Sequence, residues 1–159
     1  MKKIEIVFMD VDGTLTDGKV YIGQSGEIFK VFSVKDGLGI HDLLLKQNIK
    51  PVVITGRESQ IVMNRCKELG INEIYQGISD KVGLIKDICD RYKVTLKESA
   101  YIGDDLNDLE CLKEINKNRG ITGCPSDATE QVRNICTFVS KYPGGQGAVR
   151  EFCEYILAL

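Results

Sequence analysis

The 159-residue chain is poor in the residues that most often announce chemistry or compartment. It has a single histidine, His41, and six cysteines that stand singly without a Cys-x-x-Cys pair, a spacing that suits neither a zinc site nor a small disulfide framework. Reduced, mostly buried thiols are therefore expected. A run of lysine and arginine is also missing, and with a net charge of -2 and a pI near 5.5 the chain offers no surface for nucleic acid or an anionic membrane. Nowhere do ~18 apolar residues follow one another, and the lysines near the start lead into a strand instead of a signal-peptide segment, so a cytoplasmic protein is expected. Internal repeats, linkers and low-complexity segments are absent as well. A chain of this length can bury roughly 70% of its unfolded surface around one core, which predicts a single domain over 1–159.

What is present is organised around Val7-Phe8-Met9-Asp10-Val11-Asp12-Gly13-Thr14. Ile4, Ile6, Val7 and Phe8 form the short apolar run of a buried parallel strand, and two carboxylates arrive where that strand should end. In extended geometry Asp10 and Asp12 point the same way, and Gly13 permits the sharp departure that exposes them. Two like charges this close repel unless a cation neutralises them or one carboxyl keeps its proton. The pair predicts a bound divalent metal. A calcium loop would need a longer acidic run closed by a glutamate, and no such run follows.

Further along, Val20-Tyr21-Ile22 and Ile28-Phe29-Lys30-Val31-Phe32 read as a hairpin around a four-residue turn, Gly23 to Gly26. A helix is expected from about Leu38 to Asn48, then a strand at Pro51-Val52-Val53-Ile54, a turn at Thr55-Gly56-Arg57, and a helix ending at Gly70. A short strand at Glu73-Ile74-Tyr75 precedes a helix that starts near Lys81. The strand Ala100-Tyr101-Ile102 runs into Gly103-Asp104-Asp105-Leu106-Asn107-Asp108 and another helix. The last third adds strands near Ile121 and Phe138, a helix led by Pro125, and a closing helix on Val149, Phe152, Cys153 and Ile156. Such alternation predicts an α/β fold, a doubly wound parallel sheet with a small β-hairpin flap and no cap domain. Ligands bind such sheets beyond the carboxyl ends of the strands, and Asp10, Asp12, Thr55, Asp104 and Asp105 all fall there.

The residue types suit phosphoryl transfer, which rests on positioning and charge neutralisation and can use a carboxylate as covalent acceptor. Asp104 at a strand tip would complete an oxygen-rich magnesium site with Asp10. Asp105 and Asp108 serve equally well as helix-capping acids, and Thr55 as a helix cap or, with the open amides of Gly56, as a phosphate cradle. Lys81 falls in the first turn of a helix, where the dipole disfavours a cation, so an anion is expected beside it. His41 reads as a surface residue.

In order and spacing, the two carboxylates of the first strand, Thr55, Lys81 and the Asp104/Asp105 pair resemble the haloacid dehalogenase superfamily of phosphohydrolases over the whole chain. The resemblance implies Asp10 as nucleophile and Asp12 as the acid that protonates the departing oxygen and later activates water. It implies magnesium held by Asp10, the backbone carbonyl of Asp12, and Asp104. Thr55 and Lys81 would bind phosphoryl oxygens, with Asp105 and Asp108 in support. A departing alkoxide needs a proton at neutral pH, and the neighbouring charge of Asp10 is one way to keep it on Asp12.

Thr16-Asp17-Gly18, Val34-Lys35-Asp36-Gly37, Ile54-Thr55-Gly56-Arg57, Tyr75-Gln76-Gly77 and the Gly-rich stretch Gly144 to Glu151 resemble, more narrowly, the 3-deoxy-manno-octulosonate 8-phosphate phosphatases. That family implies a homotetramer whose hairpins form a central barrel and whose Gly-rich tail reaches a neighbouring site. Without a cap, water must be excluded by the hairpin or another subunit. The nine-carbon (nonulosonate) relatives tend to carry Glu where this chain has Arg57, which favours the eight-carbon sugar acid. A guanidinium can also bind the sugar's carboxylate, so Arg57 and Lys35 are the substrate candidates, joined by Asp12, Thr55, Gly56, Lys81 and Asn107. One departure is the segment from Ile115 to Asp127, lengthened by Asn116-Lys117-Asn118-Arg119. The alternatives are a nine-carbon substrate, a receiver-type signalling domain, whose phosphate acceptor lies on the third strand, and a non-catalytic scaffold of the same fold.

Overall fold

A computed structural model describes residues 3–159. Six parallel strands form the sheet: β1 (Ile6–Met9), β4 (Lys50–Ile54), β5 (Glu73–Tyr75), β6 (Ser99–Ile102), β7 (Ile121–Cys124) and β8 (Phe138–Val139). They lie in the order β5-β4-β1-β6-β7-β8. β1 is buried from end to end between β4 and β6, in register Met9 to Val53 on one side and Met9 to Ile102 on the other. The chain leaves β1 toward β4 and β5, then returns to β1's other side with β6. The topological switch point thus falls where β1 ends, at Asp10.

Alternation along the strands divides the core in two. Ile6 and Phe8 face α3 (Lys81–Tyr92), α4 (Leu106–Lys117) and α5 (Glu130–Ile135), packing on Ile85, Ile88, Leu112 and Val132. Val7 and Met9 face the other layer, α2 (Gln60–Glu68) and α6 (Ala148–Leu157), through Val62, Cys66, Val149 and Phe152. All six cysteines are unpaired thiols, and five are buried. No helix among the described residues is long and apolar enough to cross a membrane. The antiparallel hairpin of β2 (Tyr21–Gly23) and β3 (Gly26–Phe29) stands apart from the main sheet as a flap. No cap domain is inserted among the described residues.

Several boundaries differ from the sequence expectations. Gly23 pairs directly with Gly26, so the hairpin turn is the two residues Gln24 and Ser25, and β3 stops at Phe29 instead of Phe32. The helix expected from Leu38 begins four residues earlier as α1 (Val34–Leu38), because the Ser33 hydroxyl accepts the amide of Asp36 and caps it. It continues as a wider turn over Gly39–Leu44 and a tighter one over Leu45–Gln47, closed by Asn48 at φ 58°. Pro125 does not lead a helix: α5 starts at Glu130, and Pro125 instead receives the Ala128 amide in a turn. The extra residues after Ile115 lengthen α4 to Lys117 and turn back through Arg119 at φ 62°.

Candidate active site

The sheet ladder carries Asp10 one residue beyond β1, its amide still bonded to the Ile102 carbonyl at 3.1 Å. Extended geometry ends there. The amides of Thr14, Leu15 and Thr16 all converge on the Val11 carbonyl, and the Thr16 hydroxyl accepts from Gly13 and Gly18, so Asp12 lies in a wound loop and not in the pleat. Asp10 is almost wholly buried and Asp12 about one-fifth exposed. Gly13, at φ 92°, is obligatory: a β-carbon there would fall 1.9 Å from Asp104 Oδ2.

Asp104 follows β6, the strand beside β1, and its backbone is pinned by the Thr129 amide at 2.9 Å. Ligand oxygens of Asp10, Asp104 and Asp108 all lie within 4.8 Å of one another. Lys81, the first residue of α3, reaches into this group with Nζ 2.8 Å from both Asp10 Oδ1 and Asp108 Oδ1. That is the anion its position demanded. Asp108 is fully buried and saturated, since Oδ1 also accepts the Tyr101 hydroxyl at 2.7 Å and Oδ2 the Asp104 amide at 3.1 Å. It locks Lys81 and Asp104 in place. Asp105, exposed, binds the Leu106 amide at 2.7 Å as the cap of α4.

Burial and the charge of Asp108 push Asp10 up to about 7, against the opposing pull of Lys81. Burial and the charges of Asp10 and Asp108 push Asp104 up to about 8. Lys81 is itself driven down by burial, yet the two carboxylates hold it above the ordinary lysine value. Three carboxylates thus face one cation, and the surplus negative charge with an all-oxygen donor set fits a hard divalent ion.

Thr55 directly follows β4, buried, with its backbone tied on both sides to the Tyr75 carbonyl and the Ile78 amide. It caps no helix, because α2 begins only at Gln60. Its hydroxyl accepts the Arg57 amide at 3.4 Å, closing the turn that exposes Gly56 and Arg57. Asn107 is exposed in the first turn of α4. Lys35 is not brought to the carboxylates: it lines a groove of about 280 Å³ with Tyr142, Gln146 and Arg150. A second cavity, about 500 Å³, lies at the opposite end of the sheet around Lys50, Glu73 and Tyr92 and holds none of these residues.

Sequence reasoning missed the flap's contribution. Lys30 Nζ lies 2.5 Å from Asp12 Oδ1 and 2.8 Å from Glu27 Oε1, and the Ser59 hydroxyl donates to Glu27 Oε2 at 2.6 Å. Tyr101 was missed as well, since it reads as an ordinary strand residue. The Gly-rich stretch lies on the chain's own loop: the Gly145 amide donates to the Thr14 carbonyl at 3.1 Å, and a β-carbon on Gly144 would meet the Gly13 carbonyl oxygen at 1.9 Å.

Residues 67–152 match the model of haloacid dehalogenase-like hydrolases, and the chain belongs to that class. The 3-deoxy-D-manno-octulosonate 8-phosphate phosphatase KdsC of Escherichia coli K12 is 36% identical over 156 residues, 98% of this chain and 80% of the relative. A crystal structure of the phosphatase of that name from Moraxella catarrhalis, in complex with magnesium, phosphate and KDO, superposes with TM-score 0.91 at 40% identity, covering 99% of this chain and 87% of the other. The cobalt-bound deoxy-D-mannose-octulosonate 8-phosphate phosphatase of Haemophilus influenzae matches with TM-score 0.91 at 37% identity, covering 99% and 89%. Within the hydrolase class, the chain belongs to the 3-deoxy-D-manno-octulosonate 8-phosphate phosphatase family.

Proposed function

We propose that this protein is a magnesium-dependent phosphatase that hydrolyses 3-deoxy-D-manno-octulosonate 8-phosphate to the free sugar acid and phosphate. The observation that carries the reading is the meeting of Asp10, Asp104 and Lys81 at the carboxyl end of β1, in a chain similar to phosphatases of that substrate. Asp10, the Asp12 carbonyl and Asp104 would hold Mg2+, which when bound neutralises charge on the phosphoryl oxygens. Asp10 attacks phosphorus and takes the phosphoryl group as an aspartyl phosphate, a mixed anhydride, as the bond from phosphorus to the sugar oxygen breaks. Asp12 donates a proton to the departing sugar oxygen and later takes one from the attacking water. Lys81 and Thr55 bind the phosphoryl oxygens, with Gly56 offering its amide. Arg57 and Asn107, exposed beside the phosphate turn and the first turn of α4, contact the sugar acid, whereas Lys35 lines a separate groove. Asp108 holds Lys81 to its task, and Asp105 starts the helix that carries Asp108.

The same reading makes the protein a cytoplasmic homotetramer. Its support is the amount of apolar side chain that the flap exposes: Ile22 and Ile28 are 68% and 60% exposed, and Val20 and Val31 at its two ends are exposed as well. Phosphate release from the eight-carbon 8-phosphate and a nine-carbon sugar acid 9-phosphate is the deciding measurement. Turnover of the former that is lost on chelation and in Asp10→Asn is expected, and a preference for the nine-carbon ester overturns the substrate assignment.

A further inference from the structure

We infer that Lys30 is a positioning residue: reaching from the flap, it holds one oxygen of the Asp12 carboxylate and thereby aims the other at the leaving oxygen of the substrate. The inference rests on the role given to Asp12 above. Asp10 and Asp108 are fixed from within the core. Asp10 is anchored by Lys81 and the β1 ladder, Asp108 by Lys81, Tyr101 and the Asp104 amide. Asp12 has left the ladder for a wound, partly wet loop, and its carboxylate is held by a residue eighteen positions away.

The burial of Lys30 argues against an ordinary surface ion pair. Its side chain is 2% exposed, on a hairpin whose neighbours Ile28 and Val31 face solvent. Desolvating an ammonium is costly unless it is paired, and here two carboxylates, Asp12 and Glu27, share it at 2.5 and 2.8 Å. Glu27 passes the connection to Ser59, in the turn that follows Thr55. Flap, acid loop and phosphate turn are therefore strapped together by one polar chain, of which only the Lys30 end touches an acid of the reaction. Lys30 takes Oδ1 of Asp12, leaving Oδ2 for the substrate. A proton donor held this way keeps its alignment; one free to rotate in water loses it.

The test compares leaving groups. An alkoxide needs the proton of Asp12, whereas a nitrophenolate departs without one, and kcat/KM reports only the steps through that departure. In Lys30→Met, kcat/KM for the octulosonate ester should fall about 100-fold, and for 4-nitrophenyl phosphate less than about tenfold. Lys30→Arg, which can still grip a carboxylate, should restore most of the loss on the sugar ester. Ser59→Ala cuts the far end of the strap without touching Asp12 and should leave the ratio of the two substrates as in wild type. Equal losses on both esters in Lys30→Met, no loss on either, or a ratio shifted as strongly by Ser59→Ala would reduce Lys30 to a structural tether and overturn the inference. Should wild type ignore the octulosonate ester, the substrate assignment falls on its own, and the comparison is made on whichever alkyl monoester it hydrolyses. Failure on every monoester defeats both.

Discussion

Asp10 and Asp104 hold protons that a metal has to displace. In the metal-free pocket their carboxyls are pushed up to about 7 and about 8, above their ordinary value, so the protonated forms are populated near neutrality. The sign follows: rising pH removes the competitor. Mg2+ affinity measured by titration calorimetry should strengthen from about pH 6 to about pH 8 and then level, with protons released on binding at the lower end. A flat affinity across that range would mean that the carboxylates are already ionised without metal. At this scale Asp10, Asp104 and Lys81 were legible in the sequence, because a charge at the end of a buried strand or the start of a helix violates local preference and has to be explained by a ligand or partner. Lys30 and Tyr101 violate nothing where they stand. Their importance comes from partners 18 and seven residues distant, joined only by the tertiary fold.

Among the elements, α6 is capped from across the molecule. Gly147, the residue that caps it, offers no side chain, and buried Asp36 of α1 supplies the acceptor instead, binding the Gly147 amide at 3.3 Å and the Arg150 amide at 2.9 Å. Burial drives the Asp36 carboxyl up, against those two amides. Asp36→Ala leaves both donors unsatisfied and should cost about 1–3 kcal/mol in urea unfolding, with no change in the slope against denaturant. A loss under about 0.3 kcal/mol would show that water replaces the carboxylate. The order of strands and helices was legible from hydrophobic period alone. The start of α1 was not, since Val34 and Gly37 are poor helix formers that the Ser33 and Asp36 contacts override. Pro125 misled for a related reason: a proline suits a first helical turn and a tight turn equally, and only the Ala128 amide on its carbonyl decides between them.

For the molecule as a whole, the flap is polar where Glu27 and Lys30 bind Ser59 and Asp12, and it carries the exposed apolar side chains Ile22 and Ile28 elsewhere. If four flaps meet through the latter, Ile28→Asp should convert the assembly to smaller species by light scattering while circular dichroism stays unchanged. A wild-type protein that is already monomeric at micromolar concentration would refute the tetramer. The backbone contact between residues 13–17 and Gly144–Gly145 joins segments separated by nearly the whole sheet in sequence. A ribosome must therefore release the whole stretch between them before the nucleophile's loop finds its final support, so a nascent chain holds the amino acids of the centre long before it can work.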